Sequence, residues 1–319
     1  MKTCQRPYRC RLFVTRALLI GIILLFVSTT GSFPYAQAGV LQEGLNQKLY
    51  LPLVTMNFSW QGAWIKGKVV DARDQNQDQS PDPLGQVKVC TQHQECAFTD
   101  GDGTYLISLN WAGSREVTAE KSGYISLTQP VDAWANTTVT LNFVLSQPLQ
   151  DIVSRVVLTW DATPAFTLPN SQETIENDLD AYLFMEHQTG NLVIYYGIPG
   201  NGTDFPNALL LYDARDGAGP ETIDISQLEK GDPPTVYHYA VHHVNYLYSN
   251  GGIPSLAELQ ARVCIYFKDS NEAYCYSAPE GTLQTWYVFS MDQEGNIHLT
   301  NCLSGDPVDT SGATPPSCP

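Results

Sequence analysis

Residues 211–223 read "LYDARDGAGPETI" and place Asp213, Asp216 and Glu221 around two glycines and a proline. Upstream, "DLDAYLF" carries Asp178 and Asp180. In an extended strand these two side chains point to the same face, roughly 7 Å apart. At a strand end they could share one hard cation such as calcium, which accepts several oxygens in flexible geometry. The glycine-rich stretch could fold Asp213, Asp216 and Glu221 over them, with Asp161 as a sixth member and "GAGPE" supplying bends and free carbonyls. The alternative chemistry is local: Asp bonds nearby backbone N–H groups in turns, and Gly217 and Gly219 take positive φ.

Other spacings are less specific. "DQNQDQS" (74–80) sets Asp74, Asn76, Asp78 and Ser80 at alternate positions, as a calcium loop begins. The sixth and twelfth positions of an EF-hand require Gly and Glu, and here they are Gln79 and Gly85. "TDGDGTY" (99–105) reads as a hairpin turn. His238 and His242 have the i, i+4 spacing of zinc helices, but "TVYHYAVHHV" is β-branched and aromatic, and four residues of strand separate them by roughly 13 Å. His243 falls on the opposite face. No G-x-S-x-G elbow appears. A carboxylate pair for glycoside hydrolysis depends on the fold and has no local signature.

The elements that must position these groups are strands. "WIKGKVVDA", "PLGQVKVCT", "ECAFT", "TDGDGTYLISL", "SREVTAEKSGYISL" and "NTTVTLNFVL" are short runs separated by turn residues. In the last, Val139, Leu141 and Phe143 alternate with Thr138, Thr140 and Asn142, a period of two that marks a half-buried strand. Many short strands at this spacing predict a β-sandwich. "RVVLTW", "DLDAYLF", "NLVIYYG", "ALLLYD", "ETIDI", "TVYHYAVHHV", "QARVCIYF", "EAYCYS", "TWYVFSM" and "NIHLTN" continue the pattern. Ser255 and Glu258 in "PSLAEL" could cap one helical turn.

Residues 64–148 resemble the carboxypeptidase regulatory-like domain, a transthyretin-like sandwich, through "IKGKVVDA", "PLGQVKVC", "TDGDGTYLISL", "EKSGYISL" and "VTLNFVL". The resemblance implies an accessory or structural module, since the zinc peptidase of that family is a separate domain. Residues 149–305 resemble the YfaP-like domain of exported bacterial proteins, through "RVVLTW", "DLDAYLF", "YDARDGAGPETIDI", "TVYHYAVHHV", "ARVCIYF" and "WYVFSMD" in that order. This second resemblance implies architecture and brings no catalytic residues.

Composition places the chain outside the cytoplasm. Lys2, Arg6, Arg9, Arg11 and Arg16 precede "ALLIGIILLFV" (17–27), and "AQA" (36–38) follows. An apolar run this short is below the ~20 residues that span a bilayer, so 1–38 reads as a cleaved secretory signal peptide. Residues 39–63 form a lead-in segment and 306–319 a polar tail. No transmembrane segment is expected in the mature chain. The formal charge is −16, and removing the signal takes five basic residues and no acidic ones. Such acidity repels phosphate backbones and speaks against nucleic acid as a partner. Six cysteines remain: Cys90, Cys96, Cys264, Cys275, Cys302 and Cys318. An even set in an exported chain predicts disulfides. The nearest-neighbour pairs 90–96, 264–275 and 302–318 each bracket a turn or short loop.

The expectation is therefore an all-β, disulfide-stapled protein of two tandem β-sandwiches after a signal peptide, secreted or on the extracellular surface. Its function is that of a non-catalytic binding or structural protein, with an extracellular protein or polysaccharide as partner and calcium as the cofactor at Asp178, Asp180, Asp213, Asp216 and Glu221. A carbohydrate-binding accessory protein is the second reading, and a hydrolase using two of the carboxylates is the third.

Overall fold

In "TYLISL" (104–109), Tyr105, Ile107 and Leu109 are buried while Thr104, Leu106 and Ser108 are exposed, the alternation of a strand with one face on a core. The same rule builds the rest of the computed structural model. It describes residues 62–73, 81–167, 174–214, 217–244, 253–305 and 308–318. The expected signal peptide, nearly all of the expected lead-in segment, the 74–80 run and Asp216 lie outside them.

The first sandwich runs through β1 (Ala63–Asp71), β2 (Lys88–Thr91), β3 (Cys96–Phe98), β4 (Thr104–Leu109), β5 (Gly113–Glu120), β6 (Leu127–Ala133), β7 (Thr138–Thr140) and β8 (Phe143–Leu145). One sheet has the order β4-β1-β7, with β8 also on β1, and the facing sheet has the order β3-β2-β5-β6. Both β7 and β8 run parallel to β1. The stretch read as one strand, "NTTVTLNFVL", is thus two, broken at Leu141–Asn142. The cause lies on β1. A Cβ on Gly67 would sit 1.9 Å from the Leu141 carbonyl oxygen, so the chain crosses there against bare backbone. Lys66 accepts from the Leu141 N–H, and Asn142 accepts from the Lys68 N–H through its side chain.

The second sandwich comprises β9 (Ser154–Thr159), β10 (Phe166–Thr167), β11 (Thr174–Ile175), β12 (Leu179–Glu186), β13 (Leu192–Ile194), β14 (Ala208–Tyr212), β15 (Glu221–Ile225), β16 (Val236–His243), β17 (Arg262–Phe267), β18 (Ala273–Ser277), β19 (Thr285–Asp292) and β20 (Ile297–Ser304). Its sheets have the orders β14-β15-β9-β17-β18 and β13-β12-β16-β19-β20, with β10-β11 as a separate ribbon. Between them lie Val156, Leu158, Ile223, Val263 and Ile265 from one sheet and Leu183, Tyr239, Trp286, Phe289 and Met291 from the other. Ser255 and Glu258 exchange the bonds of a capping box around a single turn. Among the described residues no helix is long and apolar enough to cross a membrane.

Two sheets are covered on both faces. The outward side chains of β9 and β17, Val157, Cys264 and Tyr266, join the core of the first sandwich. Beside them Arg155 donates two hydrogen bonds of 2.7 Å to Asp224 and a third of 3.2 Å to the Ser146 hydroxyl. On the other sheet, Tyr182 and Phe184 of β12 are capped by Val308 and Ala313 of the C-terminal segment. Disulfides join Cys90 to Cys96, Cys264 to Cys275 and Cys302 to Cys318. The last one anchors that segment to β20.

Candidate metal centre

β12 and β15 approach each other at their N-terminal ends, and this meeting builds the site. Glu221, the first residue of β15, turns its carboxylate toward β12 and accepts the Ala181 N–H at 2.7 Å through Oε2. Asp180 stands one residue earlier on β12. Asp213, just past the end of β14, closes the group, so that one oxygen from each of Asp180, Asp213 and Glu221 lies within 4.8 Å of the others. Calcium–oxygen bonds are about 2.4 Å long, so oxygens up to twice that distance apart can share one ion. The metal would take three carboxylates from three different strand ends.

Burial makes the group unusual. Glu221 is 1% exposed and Asp180 4%. The Glu221 Oε1 has no hydrogen-bond partner among the described residues. Burial pushes the Glu221 carboxyl well above its ordinary value, and the nearby charge of Asp180 pushes the same way. Asp213 and Asp178 add smaller contributions. A carboxylate in such a place is either protonated or neutralised by a cation.

Tyrosines ring the carboxylates. The Tyr182 hydroxyl donates to Asp180 Oδ2 at 3.0 Å, and its ring stacks on Tyr195 with centroids 5.5 Å apart. Tyr182 ionises far above the usual phenol range because of burial first and the Asp180 charge second. Tyr239, buried against Phe289, is raised by burial and then by Glu221. Tyr196 is half exposed, with its hydroxyl raised by desolvation and by Asp180. Tyr182 follows Asp178 and Asp180 at alternate positions, so its place beside them was open to a period-two reading. Tyr239 carries no such signal, because only the pairing of β12 with β16 brings it near.

The five predicted ligands fare differently. Asp180, Asp213 and Glu221 come together. Asp178 is close enough for its charge to act on Glu221 and Tyr196 but falls outside the three-carboxylate group. Asp216 lies outside the described residues. Asp161 goes elsewhere: the amides of Asn142 and Gln260 donate to its two oxygens. Gly217 has the expected positive φ of 79°, but Gly219 does not. Gly219 is needed for close approach, since a Cβ there would meet the Trp160 ring at 2.7 Å.

The remaining motifs resolve into local structure. Asp100 in "TDGDGTY" accepts from the N–H groups of Asp102 and Thr104 and from the Thr104 hydroxyl, the bonding of a turn. His238 faces Glu186 at 3.5 Å, while His242 meets the Thr285 hydroxyl at 3.0 Å. His242 and His243 are both buried, and desolvation lowers each ring to about 4.

No family model matches the sequence, nor does any curated protein. Among solved structures, a Streptococcal ancillary pilin aligns over 71% of this chain and 61% of its own, at 11% identity and a TM-score of 0.21. This chain therefore spans about 61% of that pilin's length. A candidate carbohydrate-binding protein from Bacteroides uniformis aligns over 67% of this chain and 98% of its own, at 11% identity and a TM-score of 0.21. BcpA, the major pilin subunit of Bacillus cereus, aligns over 77% and 94%, at 9% identity and a TM-score of 0.21. Scores of this size carry no functional argument.

Proposed function

We propose that this is an exported, non-catalytic binding protein whose loops at one end of the second sandwich are ordered by a divalent cation, calcium by its ligand chemistry. The observation that carries the reading is Glu221. Its carboxylate is almost fully buried, one oxygen has no partner among the described residues, and two further carboxylates converge on it. Hard oxygen donors without nitrogen or sulfur ligands suit calcium. The loop from Asp213 to Glu221 joins β14 to β15, so a bound ion would tie that loop to the start of β12. The three disulfides support an oxidising, extracytoplasmic setting, and the partner there is a protein or a polysaccharide.

The same burial argues against hydrolysis at these carboxylates. A catalytic acid must touch its substrate, whereas Asp180 and Glu221 are closed off by their own strands. Terbium, a calcium mimic excited through nearby tyrosines, tests the site. Sensitised luminescence that calcium displaces, and that Asp213→Asn and Glu221→Gln abolish, is the expected result. Absence of sensitised emission from the oxidised wild-type protein would overturn the cation reading. Turnover on a panel of glycans and peptides that Asp180→Asn abolishes would overturn the non-catalytic one.

A further inference from the structure

The described residues lie within one compact unit, Ser59–Pro319, and a cleft of about 670 Å³ opens between its two sandwiches. One wall is the crossing of β1 with the β7–β8 break, including Lys68 and Asn142. The other is the end of β9, with Trp160 and Asp161, and the turn that leads through Gln260 to Arg262. Polar side chains bridge the walls. Asn142 donates to Asp161 at 3.2 Å and Arg262 donates to the Thr128 carbonyl at 3.3 Å, while Gln260, on the same wall as Asp161, steadies that carboxylate with a bond of 2.9 Å. The cleft is thus built and held before any ligand arrives, as small-molecule sites are.

We propose that this cleft binds a neutral saccharide, a short oligosaccharide or the end of a longer chain. Two observations converge on that chemistry. First, charge is balanced there although the chain is strongly acidic: Lys68 and Arg262 stand against Asp161 and Glu280. Neither an anion nor a cation finds an excess of opposite charge. Second, the planar amides of Gln129, Asn142 and Gln260 suit neighbouring hydroxyls, which both donate and accept, while the half-buried Tyr212 ring supplies aromatic surface for the apolar face of a sugar ring. The volume falls within the range of about 300–1,000 Å³ typical of small-ligand sites.

The inference rests on the binding-protein reading above and not on the cation. The two sites are nevertheless neighbours, because Tyr212, Ala218 and Gly219 of the cleft wall belong to the segment that carries Asp213 and Glu221.

The test is calorimetric titration of the full oxidised chain with cello-, xylo-, malto- and chito-tetraose, beside tetragalacturonate and an unstructured peptide. The expected result is binding of at least one neutral tetraose. Asp161→Ala and Gln260→Ala should weaken it at least tenfold, and Trp134→Ala, at an exposed aromatic away from the cleft, should leave it unchanged. Ser277→Trp fills the cleft from an exposed position whose hydroxyl makes no hydrogen bond among the described residues. It should abolish binding and keeps the test decisive if the Asp161 variant fails to fold. The proposal is overturned if no neutral tetraose binds, if only tetragalacturonate or the peptide binds, or if affinity follows Trp134 and ignores the cleft substitutions. The two proposals fail separately. Absent saccharide binding with intact terbium luminescence removes this one alone, and saccharide binding without luminescence supports it while removing the cation.

Discussion

Glu221 has one oxygen bonded to the Ala181 N–H and the other without a partner among the described residues, at 1% exposure. Its folded-state proton affinity is raised from an ordinary value of 4.5. The sign of the linkage follows: a raised carboxyl contributes stability below the unfolded value and loses it as pH rises toward the folded one. In chelator, wild-type protein should therefore lose melting temperature as pH rises above 4.5, relative to Glu221→Gln, and millimolar calcium should remove the difference. Parallel profiles in chelator would show that the carboxyl is not perturbed. His242 and His243 titrate with the opposite consequence. Burial depresses both rings from 6.5 to about 4, so their stability is present above pH 6.5 and lost as pH falls toward 4. His243→Phe should flatten the acid limb of the melting profile, and an unchanged limb would mean that the ring is solvated. Three of the five candidate ligands were legible as a group because spacing fixes the face of a strand and glycines mark the loop. Their burial was not, since it depends on Ala181 and Tyr239 from strands distant in sequence.

At the scale of elements, β1 shows what local pattern cannot reveal. Gly67 reads as an ordinary strand residue, yet the Leu141 carbonyl occupies the space of its missing Cβ. Gly67→Ala should destabilise the first sandwich by about 1–3 kcal/mol or more, as overpacking does, measured by denaturant unfolding. A loss below 1 kcal/mol would show that β7 and β8 can shift away. The strands themselves were largely legible, because alternation and turn residues repeat along the chain. The split of "NTTVTLNFVL" was not, because its cause lies 74 residues upstream. The C-terminal segment likewise looked like a polar tail. Only the outward-facing Tyr182 and Phe184 of β12 give Val308 and Ala313 something to cover.

At the scale of the molecule, the sandwiches share more than a linker. Arg155 and Asp224 form a buried, two-bonded ion pair on the β9 face that packs against the first sandwich, with Ser146 as third partner. Removing one member of such a pair leaves an uncompensated charge and costs about 3–5 kcal/mol. Asp224→Ala should lower stability by that amount, and a change under 1 kcal/mol would mean that water reaches Arg155. The shared core of Val157, Cys264 and Tyr266 with the first sandwich predicts that both sandwiches respond together when one is stabilised. The central claim, a cation at Asp180, Asp213 and Glu221, is tested most directly by thermal unfolding of the oxidised protein in chelator and then in millimolar calcium. An ion bound only by the native state at a hundred times its dissociation constant adds about 2.7 kcal/mol, several degrees for a chain of this size. The account predicts that rise in wild type and its loss in Asp213→Asn. Identical melting temperatures with and without calcium would contradict it.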